Sequence, residues 1–269
     1  MKRDVPLVAF VAAAWGTYLH WPALVDPYRF DNNWRQAPHW ISPARQFFHA
    51  DDELLRFAEF NTSPFADLLY QTLALTGHDL IWGKLNAILF FTAYVTLASL
   101  IGRTMGGRTM GWATAVSLML FPNMFQEFGG GFMDALSASL LCLTMLVIVR
   151  RKWAWAVPLM AFQSVSYPMV ALLSGMVLLV DAILHDGRRW FDARQWRRKY
   201  LFLAAAAGVA AGIIAWKYLG GHEFGELASR ATMAARPEFG VESRSRVLPV
   251  DPLWTQFSGR LFDPFHLTL

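Results

Sequence analysis

The stretch GRTMGGRTMG, residues 102–111, separates two long apolar runs and decides how this chain can fold. The runs cover residues 80–101 before it and 112–125 after it. Glycine weakens a helix, and arginine is costly inside a bilayer. The stretch is therefore predicted to be a polar turn that joins two membrane-spanning helices.

The composition of the whole chain supports membrane spans. Apolar residues make up 55% of its 269 residues and charged residues 16%, whereas soluble proteins average about 25% charged residues. Twelve tryptophans and twenty-one phenylalanines are typical of rings at membrane–water interfaces. The net charge of +4 does not indicate nucleic-acid binding, because the basic residues fall in short clusters between apolar runs. The lone Cys142 excludes an intrachain disulfide and a cysteine-based zinc site.

Apolar segments on both sides of the turn predict an all-α integral membrane bundle of about seven transmembrane helices. They cover residues 5–21, 80–101, 112–125, 132–149, 154–184 and 200–219. The first resembles a cleaved signal peptide, but a retained helix is favoured because the apolar run continues through Trp15, Tyr18 and Trp21.

The segment over residues 154–184 is interrupted by SVSYP, residues 164–168. Pro168 lacks a backbone donor and pushes Tyr167 toward an extended conformation, so two short helices in a narrow hairpin are predicted. In the last segment, the small-residue run AAAAGVAAG at 204–212 predicts close packing against another helix.

The distribution of positive charge predicts the orientation. If the segments alternate and the hairpin counts as two crossings, thirteen of the twenty-four basic residues fall on one side, which the positive-inside rule makes cytoplasmic. We therefore predict a multi-pass protein of the bacterial inner membrane, with a cytoplasmic N-terminus and an extracytoplasmic C-terminus. The bundle would span residues 1–219, with an outer loop at 23–79, and an extracytoplasmic tail would follow at 220–269.

The outer loop is long, acidic and rich in aromatic residues. Loops of this length often carry function. Within it, SPARQFFHADDELLRFAEF at 42–60 predicts an amphipathic helix on the membrane surface. A second interfacial helix is predicted within residues 61–77, capped by Ser63 and with Pro64 at its first position. Asp31 lies just before these helices, at the predicted mouth of the bundle.

Four short motifs together resemble the polytopic C-type (GT-C) glycosyltransferases. They are DNNWRQ at 31–36, QEFGGGFMDAL at 126–136, SYPMVALL at 166–173 and ARPEFG at 235–240. The resemblance implies that Asp31 is the catalytic base, which takes the proton of the acceptor hydroxyl as a sugar leaves a polyprenyl phosphate. It also implies a cation that offsets the charge of the departing phosphate, for which Arg29 and Arg35 are candidates.

Two ionisable residues inside predicted spans, Lys84 and Asp134, are further candidates for substrate binding, because such residues are costly in a membrane and often functional. Both are predicted near the outer ends of their spans, where they pair with each other or reach the interface. No cofactor is predicted with certainty. The acidic run DDE at 51–53 suggests a divalent cation held together with Asp31, and an acidic first turn of a solvated helix is the alternative.

The alternative function is a non-catalytic subunit of a larger membrane complex. Asn32 and Asn33 stand where GT-C enzymes often have acids, Asp134 stands where a basic residue is expected, and the chain has fewer crossings than those enzymes. A transporter, suggested by the SVSYP break, ranks last because no matching break occurs in a second half. The expected partners are membrane lipids, a polyprenyl-phosphate sugar for an enzyme, and other membrane subunits.

Overall fold

The computed structural model describes residues 4–26, 62–120, 128, 133–186 and 193–218. Over these ranges the chain is helical apart from short turns and contains no strand, which confirms the all-α class for them. The helices are α1 (Asp4–Val25), α2 (Pro64–Ala74), α3 (Asp79–Leu120), α4 (Met133–Val149), α5 (Ala156–Ser166), α6 (Pro168–Asp186) and α7 (Ala193–Tyr218), with a 3₁₀ turn at Trp153–Trp155. The predicted surface helix at 42–60 and the predicted tail at 220–269 lie outside the described residues.

Among the described residues, three helices are long and apolar enough to cross a membrane: Asp4–Val25, Ile81–Leu120 and Lys199–Lys217. Two shorter apolar helices, Ala135–Val149 and Pro168–Leu184, accompany them. This number is smaller than the about seven crossings predicted from apolar segments. The difference has a structural reason, because α3 contains two of the predicted spans and the SVSYP break divides another into short helices.

The GRTMGGRTMG turn lies inside α3 and divides it into two arms, residues 79–105 and 108–120. Gly106 (φ −135°, ψ 20°) and Gly107 (φ 76°, ψ −165°) leave the helical conformation. Glycine adopts the positive φ of Gly107 without steric cost, whereas the backbone of a residue with a side chain would be strained there. The predicted polar turn between two apolar helices is thereby confirmed.

The two arms touch where each carries a glycine. A Cβ atom on Gly111 would lie 3.0 Å from the carbonyl oxygen of Ser99 and 3.0 Å from Cβ of Arg103. A Cβ atom on Gly102 would collide with the hydroxyl of Thr114. The Ser99 hydroxyl also donates a hydrogen bond of 2.9 Å to the carbonyl of Gly111. The arms therefore approach to backbone contact, which only small residues allow between membrane helices.

Helix α1 contacts α3 through polar groups at two positions along its length. Asp4, in its first turn, lies 3.4 Å from Nη1 of Arg103 and 3.2 Å from Nη2 of Arg108. Farther along, the indole N–H of Trp15 donates to the carbonyl of Met119 at 2.7 Å. Helix α1 therefore runs parallel to the second arm of α3 and antiparallel to the first.

Helix α4 runs in the same direction as the first arm of α3. The Ser139 hydroxyl donates to the carbonyl of Phe90 at 3.2 Å, and about one turn farther along both helices Tyr94 lies near enough to Cys142 to interact with it electrostatically. The C-terminal end of α4 therefore lies at the same end of the bundle as the GRTMGGRTMG turn. We call this the basic end, because Arg103, Arg108 and residues 150–152 gather there.

Helices α4 to α7 surround an apolar core. Its buried residues are Val147, Ala156, Met160, Ala171, Leu178, Ala206 and Ala210. Tyr167 is extended (φ −154°, ψ 91°), and the methyl group of Met160 lies 3.6 Å from a Cβ atom placed on Gly175. These contacts confirm the prediction of a hairpin of two short helices. The burial of two alanines of the small-residue run in this core confirms that α7 packs closely on the bundle.

We predict that the double substitution Gly102→Ala/Gly111→Ala lowers the thermal stability of the detergent-solubilised protein. The added methyl groups would push the arms of α3 apart, at a cost of about 1–3 kcal/mol, as in other overpacked cores. Thermal unfolding followed by tryptophan fluorescence measures this.

The matched control is Gly208→Ala/Gly212→Ala in α7, where an added Cβ atom meets nothing within 4 Å. This pair should leave stability unchanged or raise it, because alanine favours a helix. Equal losses in the two double variants would contradict the proposed contact.

Candidate functional site at the end opposite the basic end

The structure describes the five predicted site residues to different extents. Only Lys84 among them has a described side chain. Asp134 lies in the first turn of α4, but its side chain is outside the described part, so its pairing with Lys84 stays a prediction. Asp31, Arg29 and Arg35 also lie outside the described residues.

Lys84 lies at the beginning of the first arm of α3, opposite the basic end. It is 4% exposed, and its Nζ donates to the carbonyl oxygen of Asp26 at 2.7 Å. That carbonyl lies directly after α1, where the last carbonyls of a helix lack helical partners and the helix dipole is negative. The carboxylate of Asp26 also attracts the ammonium. Lys84 therefore fixes the point where the chain leaves α1 for the outer loop.

The neighbours of Lys84 on the same helix face make this position costly for a cation. Ala87, Ile88 and Phe91 follow at one- and two-turn spacing, and all three are buried. An ammonium group in such surroundings loses hydration that its polar partners must replace. The sequence signalled the position, because a lone lysine interrupts an apolar run. It gave no signal of the partner, which lies 58 residues away.

Helix α2 follows the part of the predicted outer loop that lies outside the described residues. Ser63 accepts a hydrogen bond of 3.3 Å from the backbone N–H of Ala66, and Pro64 follows it in the first turn. The predicted helix start is therefore confirmed. The ring of Phe65 meets that of Phe162 in α5 edge to face, with centroids 4.9 Å apart. Because Asp26 and Ser63 are both held by the bundle, they fix the two ends of the segment that contains Asp31.

Phe128, in the predicted glycine-rich turn, was not expected to be buried. It is 2% exposed, and its ring centroid lies 5.6 Å from that of Phe91 and 5.5 Å from that of Tyr94. The connection between the second arm of α3 and α4 therefore contributes a ring to the core of the bundle. A phenylalanine beside three glycines carries no periodic pattern that would predict this.

An apolar groove runs along the surface between α1 and the second arm of α3. It has a volume of about 390 Å³ and is lined by Phe10, Val11, Ala14, Trp15, Val116, Met119 and Leu120. Its rim is open, since Phe10 is 71% and Leu120 68% exposed. The one polar group of this lining, the indole N–H, is already bonded to the Met119 carbonyl. The groove therefore suits a hydrocarbon chain rather than a polar ligand.

A buried polar network was also missed by the sequence. Gln163 is fully buried, and its Nε2 donates to the carbonyl of Leu140 and to the hydroxyl of Thr144, both at 3.0 Å. The Thr144 hydroxyl in turn donates to that of Ser174 at 2.9 Å. The network joins α4, α5 and α6 beside the SVSYP break and so holds the two halves of the hairpin together.

Metal binding has no support in the part of the chain that the structure describes. No group of three His, Cys, Asp or Glu side chains in these ranges is arranged to hold a metal ion. The cation site predicted at DDE, residues 51–53, lies outside them.

No family model matches the chain, and neither a curated protein nor a solved structure is similar to it. The functional argument therefore starts from the residues of this chain.

We predict that Lys84→Met, which keeps the length of the side chain and removes the ammonium, releases the beginning of the outer loop. Loss of a charged hydrogen bond of about 1.5–3 kcal/mol should raise tryptic cleavage at Arg29 and Arg35 about tenfold or more. Limited proteolysis of the intact protein, read by mass spectrometry, measures the rate.

Lys217→Met, at the end of α7 on the same side of the bundle, is the control for the loss of one lysine. It should leave cleavage at the two arginines unchanged. Unchanged cleavage in Lys84→Met would show that this lysine does not hold the loop.

Proposed function

We propose that this chain is a multi-pass membrane protein that moves a sugar from a polyprenyl-phosphate donor at the outer membrane face, as a GT-C-like glycosyltransferase or as part of one. The observation that carries the proposal is the buried Lys84, which holds Asp26 at the mouth of the bundle. It supports a function at that mouth because an ionisable residue inside a membrane bundle is costly and is often functional.

In the proposed reaction the carboxylate of Asp31 accepts the proton of the acceptor hydroxyl. The acceptor oxygen then forms a bond to the anomeric carbon of the sugar, and the bond from that carbon to the phosphate oxygen breaks. Arg29 and Arg35 offset the negative charge left on the polyprenyl phosphate. Lys84 is a positioning residue, because it fixes the chain shortly before Asp31.

The apolar groove supports a lipid-linked donor. It extends to Leu120, at the end of the second arm of α3 that lies opposite the basic end. A prenyl chain seated there would bury apolar surface at about 25 cal/mol per Å². Its phosphate would then lie toward the outer loop.

The proposed orientation places the basic end in the cytoplasm and the outer loop outside an inner membrane. The ion pairs of Asp4 support it, because they hold the N-terminal turn of α1 beside two arginines. The direction of α4 adds residues 150–152 to the same end. This arrangement is the one that the positive-inside rule favours.

We predict that Asp31→Asn reduces transfer at least about 100-fold, the usual contribution of a general base. Cells that lack the native chain are complemented with the unchanged protein, with Asp31→Asn or with Glu59→Gln as a control in the same loop. Mass spectrometry then compares their glycolipids and outer-face glycans. Glycan profiles that are the same for Asp31→Asn and the unchanged protein, at equal protein levels, would refute the catalytic role.

A non-catalytic subunit of a larger complex is the second candidate, and one observation favours it. Gly208 and Gly212 lie on a side of α7 where an added Cβ atom meets nothing within 4 Å, although Ala206 and Ala210 of the same run are buried. An open glycine face of this kind lets a further helix approach closely.

For this candidate we predict that purification in a mild detergent yields further membrane chains together with this one, and that Gly208→Leu/Gly212→Leu removes them. Native mass spectrometry of the purified particle gives its subunits. A monodisperse particle that holds only the 30.4 kDa chain would count against the subunit role and leave the enzyme proposal standing.

A further inference from the structure

Helix α4 ends in a turn that usually contains glycine. The N–H of Arg151 donates to the carbonyl of Ile148, and the N–H of Lys152 donates to that of Val147, both at 3.0 Å. These two bonds are the Schellman pattern, with Arg151 at the position that follows the helix cap. Its φ of 54° lies in the left-handed region, and no other residue except glycine within the described ranges has a positive φ.

An arginine is an unfavourable choice at this position. In the left-handed conformation the Cβ atom crowds the following carbonyl oxygen, a cost that glycine avoids. Strained positions of this kind persist where the side chain has a use. Glycine would form the same turn without strain, so the backbone does not require an arginine here. The use of Arg151 must therefore lie in its guanidinium.

The nearby carboxylate does not account for the arginine. Asp181 is buried, and its Oδ2 lies 3.2 Å from Nζ of Lys199. Lys199 is buried as well and lies 4.2 Å from the centroid of the Trp153 ring. Arg151 reaches the same oxygen only at 4.0 Å, with 52% of its side chain exposed. Lys199 thus already neutralises Asp181, and the guanidinium is open to a second anion.

The surroundings of Arg151 define which anion fits. Arg150 and Lys152 flank it and are exposed, so the turn presents three cations in succession. Trp155, in the following 3₁₀ turn, is 63% exposed. Exposed tryptophan beside arginine and lysine is typical of the headgroup level of a membrane. An anionic partner at this level is a phospholipid, whose phosphate matches the planar fork of a guanidinium.

We propose that the turn of residues 150–152 binds the phosphate of an anionic phospholipid, with Arg151 as its central contact. The inference rests on the membrane placement in the proposed function and is independent of sugar transfer. It gives the strained backbone of Arg151 a role, since glycine in the same turn would offer no guanidinium to the phosphate.

The experiment compares the full-length protein with Arg151→Gly in detergent, to which either phosphatidylglycerol or phosphatidylcholine is added. Without lipid, Arg151→Gly should keep or raise the melting temperature, because glycine relieves the strained turn. The rise in melting temperature that phosphatidylglycerol causes should be lost. Phosphatidylglycerol retained in native mass spectra should fall about tenfold, as expected for loss of a charged hydrogen bond. Lys217→Gln, which removes one cation at the opposite end, should change neither quantity.

Three outcomes would overturn the proposal. If Arg151→Gly lowers the melting temperature equally in both lipids, the arginine serves Asp181 and not a lipid. If Arg151→Gly keeps the full effect of phosphatidylglycerol, the turn does not bind it. If inorganic phosphate stabilises the unchanged protein as much as phosphatidylglycerol does, the turn is a general anion site. None of these readings involves Asp31, so failure here is distinguishable from failure of the transferase proposal.

Discussion

Backbone contact between the two arms of α3 is the constraint on which the rest of the bundle depends. Because Gly102 and Gly111 let the arms touch, the turn between them presents Arg103 and Arg108 to one carboxylate. The ion pairs of that carboxylate, Asp4, set the position of α1 along the axis of α3. With α1 in this position, its C-terminal end brings the carbonyl of Asp26 to the ammonium of Lys84. The geometry around Lys84 thus follows from a glycine contact at the opposite end of the bundle.

Buried and half-buried charges have different partners at the two ends of the bundle. At the basic end the two described carboxylates with ion pairs, Asp4 and Asp181, each meet two cations, so positive charge is left over at the surface. At the other end a buried cation is bound by a helix terminus, where a carbonyl and the helix dipole hold it. Between the ends, Nε2 of Gln163 and the hydroxyls of Thr144 and Ser174 form hydrogen bonds inside apolar surroundings. These hydrogen bonds hold the two helices of the hairpin in a defined position, although the helix is broken at Tyr167.

Features with a local chemical cause could be predicted from the sequence. Glycine at the α3 turn, proline after Tyr167 and serine before Pro64 each act on the backbone beside them, and the structure has the turn, the break and the cap at those places. Features that depend on distant partners could not be predicted. Asp181, for example, pairs with Lys199 and Arg151, which lie in other parts of the chain. The burial of Phe128 is of the same kind. For the candidate site, Lys84 could be singled out, whereas Asp31 and its two arginines are still supported by the sequence pattern alone.

The pairing of α1 with the second arm of α3 also constrains the order of assembly during synthesis. The hydrogen bond between Trp15 and Met119 spans 104 residues, so α1 leaves the ribosome long before its partner exists. The arms of α3, in contrast, emerge one directly after the other and are joined by a tight turn, so the contact between them needs no later segment of the chain. Until the turn between the arms has been made, Asp4 lacks the two arginines with which it forms ion pairs. The contacts of α1 with the second arm of α3 therefore form only after both arms have been made.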